Sequence, residues 1–125
     1  GGMKSFRETL IHIIDCELLW LNTILGDPIT YEGRESIYHL DEIRQYSTFV
    51  QLKTKAFTTN GKHGDEYRTI EVTRRDGSFR HFLQKKIIAH LITHEIHHIG
   101  QLSVWAREIG LKPVSSDLIT RNICE

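Results

Sequence analysis

The sequence predicts an all-α protein, an antiparallel helix bundle with one small β-hairpin before its last helix. Three long segments carry apolar residues at helical spacing or are apolar on nearly all sides, and each is followed by a helix-ending glycine signal. A short segment between the second and third of them changes to a period of two. With 125 residues, we expect one domain over residues 1–125, in which Gly1 and Gly2 are the remnant of an expression tag.

The first helix is predicted to begin near Phe6, because Ser5 and Glu8 form an S-x-x-E capping box. It ends at Gly26, and the loop after it reaches about Ser36. Apolar residues lie on nearly all of its sides, which is typical of a helix buried against more than one neighbour. A lone three-helix core would leave part of that surface uncovered. We therefore expect a fourth helix, either from another subunit or from a segment that this sequence does not contain.

The second helix is predicted over Leu40–Thr59, before the turn signal Asn60-Gly61. Four of its apolar side chains recur at helical spacing: Ile43, Tyr46, Val50 and Phe57. This spacing places them on one face, which we expect to lie in the core.

A β-hairpin is predicted between the second and third helices. Apolar and polar residues alternate over Thr69–Thr73, and the returning strand covers Ser78–Phe82. The Asp76-Gly77 pair between them is a hairpin turn signal.

The third helix is predicted to begin near Leu83 and to end at Gly110, with Pro113 just beyond it. The tail, Val114–Glu125, shows no periodicity that supports a structural prediction.

Composition excludes several classes of function. The 16 basic and 16 acidic residues balance, so there is no electrostatic footprint for nucleic acid or for an anionic membrane. No apolar run approaches the roughly 20 residues that span a bilayer, and no signal peptide pattern is present. The two cysteines, Cys16 and Cys124, make no disulfide framework. We therefore expect a protein of the reduced cytoplasm.

The most informative feature is a cluster of four histidines in the third helix: His90, His94, His97 and His98. His94 and His98 are four residues apart and leave the same helix face, together with Leu91, Leu102, Trp105 and Ile109. That face is expected to point inward, whereas the other two histidines flank it. Two inward imidazoles one turn apart need partners at both ring nitrogens, which favours a metal site over a pair of satisfied core histidines.

A third ligand is available on the first helix, where small or polar residues trace one stripe: Ser5, Thr9, His12, Cys16, Leu19 and Thr23. Such a stripe suits the wall of a pocket, and His12 lies at its middle. A buried histidine bonded to a carbonyl is the alternative interpretation of His12, and Cys16 is the alternative ligand, although a small buried cysteine is more often inert. Three imidazoles would leave a coordination position open, as in catalytic zinc sites, where the metal can acidify a water or a substrate thiol.

The string from His94 to His98 also reads H-E-x-x-H, the signature of zinc peptidases, with Glu95 as the general base. That reading needs a further ligand downstream, and the metzincin positions hold Gln101 and Val104 instead. The remaining candidates, Glu108, Asp117 and Glu125, are weakly supported, so peptidase activity is the least favoured hypothesis.

Other distinctive residues have simpler interpretations. Trp20 and Trp105 are expected in the core or in a pocket wall. Arg74 and Arg75 are expected in a solvated turn, and three histidines without partners at ligand spacing are expected to be exposed: His39, His63 and His81. No general base can be assigned among the weak candidates Glu17, His90, Glu95 and His97.

The segment HLITHEIHHIGQLSVWAREIGLKP closely resembles the closing helix of the DinB-like (damage-inducible, YfiT-related) metal-binding proteins. The closing pattern of that family is His, three residues, His, two residues, then His-His-x-Gly-Gln, which is matched here by His90, His94, His97, His98, Gly100 and Gln101. The earlier segment SFRETLIHIIDCELLWL resembles the helix that carries the family's first metal histidine, which is His12 here.

The resemblance implies a four-helix bundle that holds one divalent ion, zinc or nickel, through His12, His94 and His98. It implies a metal-dependent thiol transferase that activates a small thiol such as bacillithiol, or else a non-catalytic metal-binding or stress-response module. It also implies a helix before the one that carries His12, and this sequence starts too late to contain it. Either the sequence is part of a longer chain, or a neighbouring subunit of a homodimer covers the open face.

Overall fold

The computed structural model describes residues 5–26, 28–59 and 67–112. Its elements are helix α1 (Phe6–Leu25), a single 3-10 turn (Arg34–Ser36), helix α2 (Leu40–Thr59), strands β1 (Thr69–Thr73) and β2 (Phe79–Leu83), and helix α3 (Gln84–Glu108). The described part is thus mostly helical, with a two-stranded hairpin directly before the last helix, which confirms the predicted secondary structure. The predicted tail, Cys124 and His63 lie outside the described residues.

The capping residues fix the ends of α1 as predicted. The Ser5 hydroxyl accepts a hydrogen bond from the backbone N–H of Glu8, at 3.1 Å, which satisfies one of the free donors of the first turn. At the other end Gly26 adopts a left-handed conformation with φ of 71°, and its N–H donates to the Asn22 carbonyl. A residue with a Cβ would be strained there, so glycine is the residue that stops the helix.

Helix α1 packs against both α2 and α3, which is why it is apolar on most of its sides. All four predicted core residues of α2 are buried: Ile43, Tyr46, Val50 and Phe57. The first three pack with Ile14 and Leu18 of α1, whereas Phe57 joins a second cluster with Leu21 and Ile24 of α1, Ile70 of β1 and Ile87 of α3.

The residue before the β-hairpin links the end of α1 to the start of α3 through hydrogen bonds. The strands of the hairpin pair in antiparallel register, with Glu71 opposite His81. Just before β1, the Arg68 guanidinium donates to the Ile24 carbonyl at 2.6 Å and to the buried Gln84 side chain at 3.1 Å. These bonds hold the last turn of α1 against the first turn of α3.

The opposite ends of these two helices also meet, because the ring of Phe6 lies 6.3 Å from that of Trp105. Helices α1 and α3 are therefore antiparallel. This alignment brings the middle of α1 beside the second half of α3, which is where the histidines of both helices lie.

The loop between α1 and α2 is pinned to the other side of α1. Arg34 donates to both carboxylate oxygens of Asp15, at 2.7 and 2.6 Å, and the Tyr46 hydroxyl donates to the same carboxylate at 2.7 Å. Burial raises the pKa of Asp15, but the hydrogen bonds from Arg34 and Tyr46 outweigh burial and leave the pKa below its usual value. The carboxylate therefore stays ionised and joins α1, the loop and α2.

Two details of the predicted faces are wrong. Ile109 was expected on the inward stripe of α3 but is 69% exposed, because the regular helix ends one residue earlier. Leu19 was expected in the pocket wall of α1 but is 60% exposed.

The exposed residues agree with the prediction: Arg74 and Arg75 at the turn and His39 and His81 are all solvent-accessible. Within residues 5–26, 28–59 and 67–112, no helix has the length and apolar character that a membrane crossing requires.

Candidate metal centre

His94 and His98 lie one turn apart on the inner face of α3. Their Nε2 atoms are 3.2 Å apart, and the two rings meet edge to face with centroids 4.5 Å apart. His98 is only 7% exposed and His94 is half-buried. The prediction that this pair points inward is therefore confirmed.

Helix α1 adds two more potential ligands. The His12 ring lies edge-on to both α3 histidines, with its centroid 5.5 Å from that of His94 and 5.0 Å from that of His98. The Cys16 sulfur is 3.6 Å from Nε2 of His12. Ligating atoms of His12, Cys16 and His94 all lie within 4.8 Å of one another. The group that meets this limit includes the alternative ligand Cys16 and not the predicted ligand His98. We call the four residues His12, Cys16, His94 and His98 the His–Cys cluster.

The other two histidines of α3 border the cluster, as predicted. His90 stacks on His94 with ring centroids 6.0 Å apart and lies edge-on to Trp20, at 5.3 Å. The ring of His97 lies 5.3 Å from that of His98. Both residues are exposed, so they form a rim between the cluster and solvent.

One residue near the cluster was not assigned a role from sequence. Oε1 of Gln101 lies 3.1 Å from Nδ1 of His98. The sequence spacing could have predicted this contact, because residues three apart are neighbours on a helix surface and Gln101 follows His98 at that spacing.

The electrostatics of the cluster favour uncharged side chains. Burial lowers the pKa of His94, and the neighbouring histidines, His98 first, lower it further. Burial also raises the pKa of the Cys16 thiol, and the negative charge of Asp15 adds to that effect. At neutral pH His94 is thus a neutral imidazole with a lone pair to donate, whereas Cys16 is a protonated thiol.

The cluster fits a transition-metal ion. Two nitrogens bound tetrahedrally to zinc at about 2.0–2.1 Å lie about 3.3–3.4 Å apart, close to the 3.2 Å between Nε2 of His94 and Nε2 of His98. Nδ1 of His94 is buried and has no hydrogen-bond partner in the part of the chain that the structure describes, so no such partner fixes the tautomer of this ring. Imidazole and thiol are ligands of zinc, nickel and copper rather than of magnesium or calcium.

Glu95, the proposed base of the peptidase hypothesis, lines a groove that no residue of the His–Cys cluster lines. It borders this groove of about 560 Å³ with Glu17, and side chains of all three helices form the walls, including Leu21, Phe57 and Ile88. Burial raises the pKa of Glu95, and the charge of Glu17 raises it further. Of the weak downstream ligands, Glu108 is exposed, and Asp117 and Glu125 lie outside the described residues.

The fold and the cluster together define a class of protein: a helical protein in which two antiparallel helices bring potential metal ligands together. Comparison with known proteins identifies the family. The model of the DinB family matches residues 1–123. The chain is also 34% identical over 125 residues to the uncharacterized protein YizA of Bacillus subtilis (strain 168). The matched region covers 98% of this chain and 76% of YizA. The chain therefore belongs to the DinB family, and the resemblance seen in its two histidine segments is confirmed.

Proposed function

We propose that this protein binds one divalent transition-metal ion, zinc or nickel, through His12, His94 and His98. The observation that carries the proposal is the approach of the His12 ring of α1 to the rings of His94 and His98, with centroids 5.5 and 5.0 Å away, while the Nε2 atoms of the α3 pair lie 3.2 Å apart. The lowered pKa of His94 supports it, because a metal-binding imidazole has to be unprotonated. The arrangement also supports a stabilising role, since the ligands come from α1 and α3 and an ion would join the two helices.

The proposed activity is that of a thiol S-transferase acting on a low-molecular-weight thiol. A divalent ion held by three protein ligands would supply an open coordination position at which the pKa of a bound thiol would fall. The residues of this chain provide the surroundings that such a reaction needs. His98 is buried and His94 is half-buried, whereas the exposed rim of His90 and His97 gives a small molecule access and offers imidazoles that can accept its proton.

A second candidate is a non-catalytic metal-binding module, and one observation favours it. If Cys16 were a fourth ligand, the site would be closed, as structural zinc sites are. Zinc–sulfur and zinc–nitrogen bonds of about 2.3 and 2.0–2.1 Å place tetrahedral ligands about 3.5 Å apart, and the Cys16 sulfur lies 3.6 Å from Nε2 of His12. The mutual proximity of the ligand atoms of His12, Cys16 and His94, all within 4.8 Å, also supports this candidate.

The experiment that tests the activity is a conjugation screen with metal-loaded protein. Small thiols are paired with an electrophilic acceptor, and disappearance of the free thiol is followed for the wild type and for His12→Ala. The proposal expects metal-dependent conjugation in the wild type that the variant lacks. Full metal loading with no thiol binding and no conjugation would instead support the non-catalytic module.

A further inference from the structure

We infer that Gln101 fixes the tautomer of His98, holding the proton on Nδ1 and leaving Nε2 as the atom that can bind a metal. The consequence for metal affinity rests on the proposed metal site, whereas the tautomer is a property of the chain itself.

The orientation of the Gln101 amide in the structure, with Oε1 toward His98, fixes the direction of the hydrogen bond between these two residues. A neutral imidazole carries one N–H and one lone pair, and a carboxamide oxygen can only accept. Because Oε1 of Gln101 lies 3.1 Å from Nδ1 of His98, Nδ1 is the donor and carries the proton. His98 is 7% exposed, so water competes little for this nitrogen.

The consequence passes from His98 to His94. With its proton on Nδ1, His98 presents the lone pair of Nε2 to Nε2 of His94, 3.2 Å away. Without a metal, that contact is a hydrogen bond only if His94 carries its proton on Nε2. The lone pair of His94 then lies on Nδ1, the one buried ring nitrogen that lacks a partner among the described residues. An ion between the two Nε2 atoms would then require only His94 to move its proton to Nδ1, because His98 already presents its lone pair.

The opposite tautomer of His98 would have to lose its Nε2 proton before an ion could bind there. Its Nε2–H would point at His94, and only Nδ1, turned toward Gln101, would keep a lone pair. Partners that orient a ligating histidine in this way typically contribute 10–100-fold to metal affinity. Gln101 is therefore a positioning residue: it acts on the ion only through His98.

The test is ¹⁵N NMR of the histidine rings in metal-free protein, with cobalt and zinc affinities measured in parallel. The variants are Gln101→Met, which keeps the size but removes the acceptor, and Gln101→Glu, which keeps an acceptor oxygen. Gln51→Met, on the exposed surface of α2, is the matched control for the chemical change. Thermal unfolding of each variant shows that it is folded.

The inference expects a protonated Nδ1 and an unprotonated Nε2 for His98 in the wild type, in Gln101→Glu and in Gln51→Met. In Gln101→Met, it expects the Nε2-protonated form to appear and both metal affinities to fall by about 10–100-fold. An Nε2-protonated His98 in the wild type would overturn the inference, because the amide would then be the donor. Unchanged tautomer and affinity in a folded Gln101→Met would also overturn it. A wild type with the expected tautomer that binds no metal would support this inference and refute the proposed function.

Discussion

Replacing Cys16 by serine distinguishes an open metal site from a closed one. Serine keeps the size and polarity of cysteine but is a poor ligand for zinc. A four-ligand structural zinc site is worth about 10–16 kcal/mol, or about 2.5–4 kcal/mol per ligand, so losing a true ligand weakens binding by about 60–700-fold. Cys16 lies 3.6 Å from Nε2 of His12 and is half-buried, so only a measurement on this residue separates contact from coordination.

We expect Cys16→Ser to keep one equivalent of zinc and to change its affinity far less than the loss of a ligand would, because the proposed ligands are His12, His94 and His98. The assay is a competition titration with a chelator of known affinity, with His12→Ala as the variant that loses a proposed ligand. A loss of about 60-fold or more in Cys16→Ser would refute the open site. The cobalt-substituted proteins provide a second readout, since thiolate coordination would give the wild type a charge-transfer band that the variant lacks.

Three further predictions concern stability. Zinc at 100 times its dissociation constant should raise the free energy of unfolding by about 2.7 kcal/mol and the melting temperature by about 10 °C, and a chelator should reverse the rise. A melting temperature that does not change with metal would contradict binding across α1 and α3. Asp15 has a lowered pKa in the folded protein, so its stabilising contribution is present above its unfolded pKa and is lost as the pH falls through the folded value. The melting temperature of Asp15→Asn should therefore fall less steeply with acid than that of the wild type. An equally steep fall in both proteins would contradict this. Phe57→Ala should lower the free energy of unfolding in urea by about 3–5 kcal/mol, because it leaves a cavity in the cluster that joins all three helices. A loss below about 1 kcal/mol would show that this packing contributes little to stability.

Local patterns in the sequence predicted most of the secondary structure. The capping box at Ser5, the glycine at position 26 and the periodicity of α2 depend on neighbours within one or two turns, so the sequence carries them directly. The same holds for His94 and His98, whose separation of four residues puts them on one face whatever surrounds the helix.

Features that depend on packing between helices could not be predicted in the same way. His12 and Cys16 share a stripe with Leu19, but the spacing does not show how far that stripe is covered, and Leu19 is exposed. The spacing of H-E-x-x-H gives no information about the space that Glu95 borders, which depends on how α2 and α3 are placed around α1. Ile109 was misplaced because one residue at the end of a helix decides whether a side chain belongs to its face.

The central claim is that His12 of α1 completes a metal site begun by the histidine pair of α3. The most direct measurement is the metal content of the purified protein by elemental analysis, for the wild type and for His12→Ala prepared side by side, with Gln51→Met as a folded control. The claim predicts about one equivalent of zinc or nickel in the wild type and in the control. It predicts metal near background in a folded His12→Ala. A wild type without metal after incubation with zinc and nickel, or a His12→Ala variant that keeps the full equivalent with unchanged affinity, would contradict it.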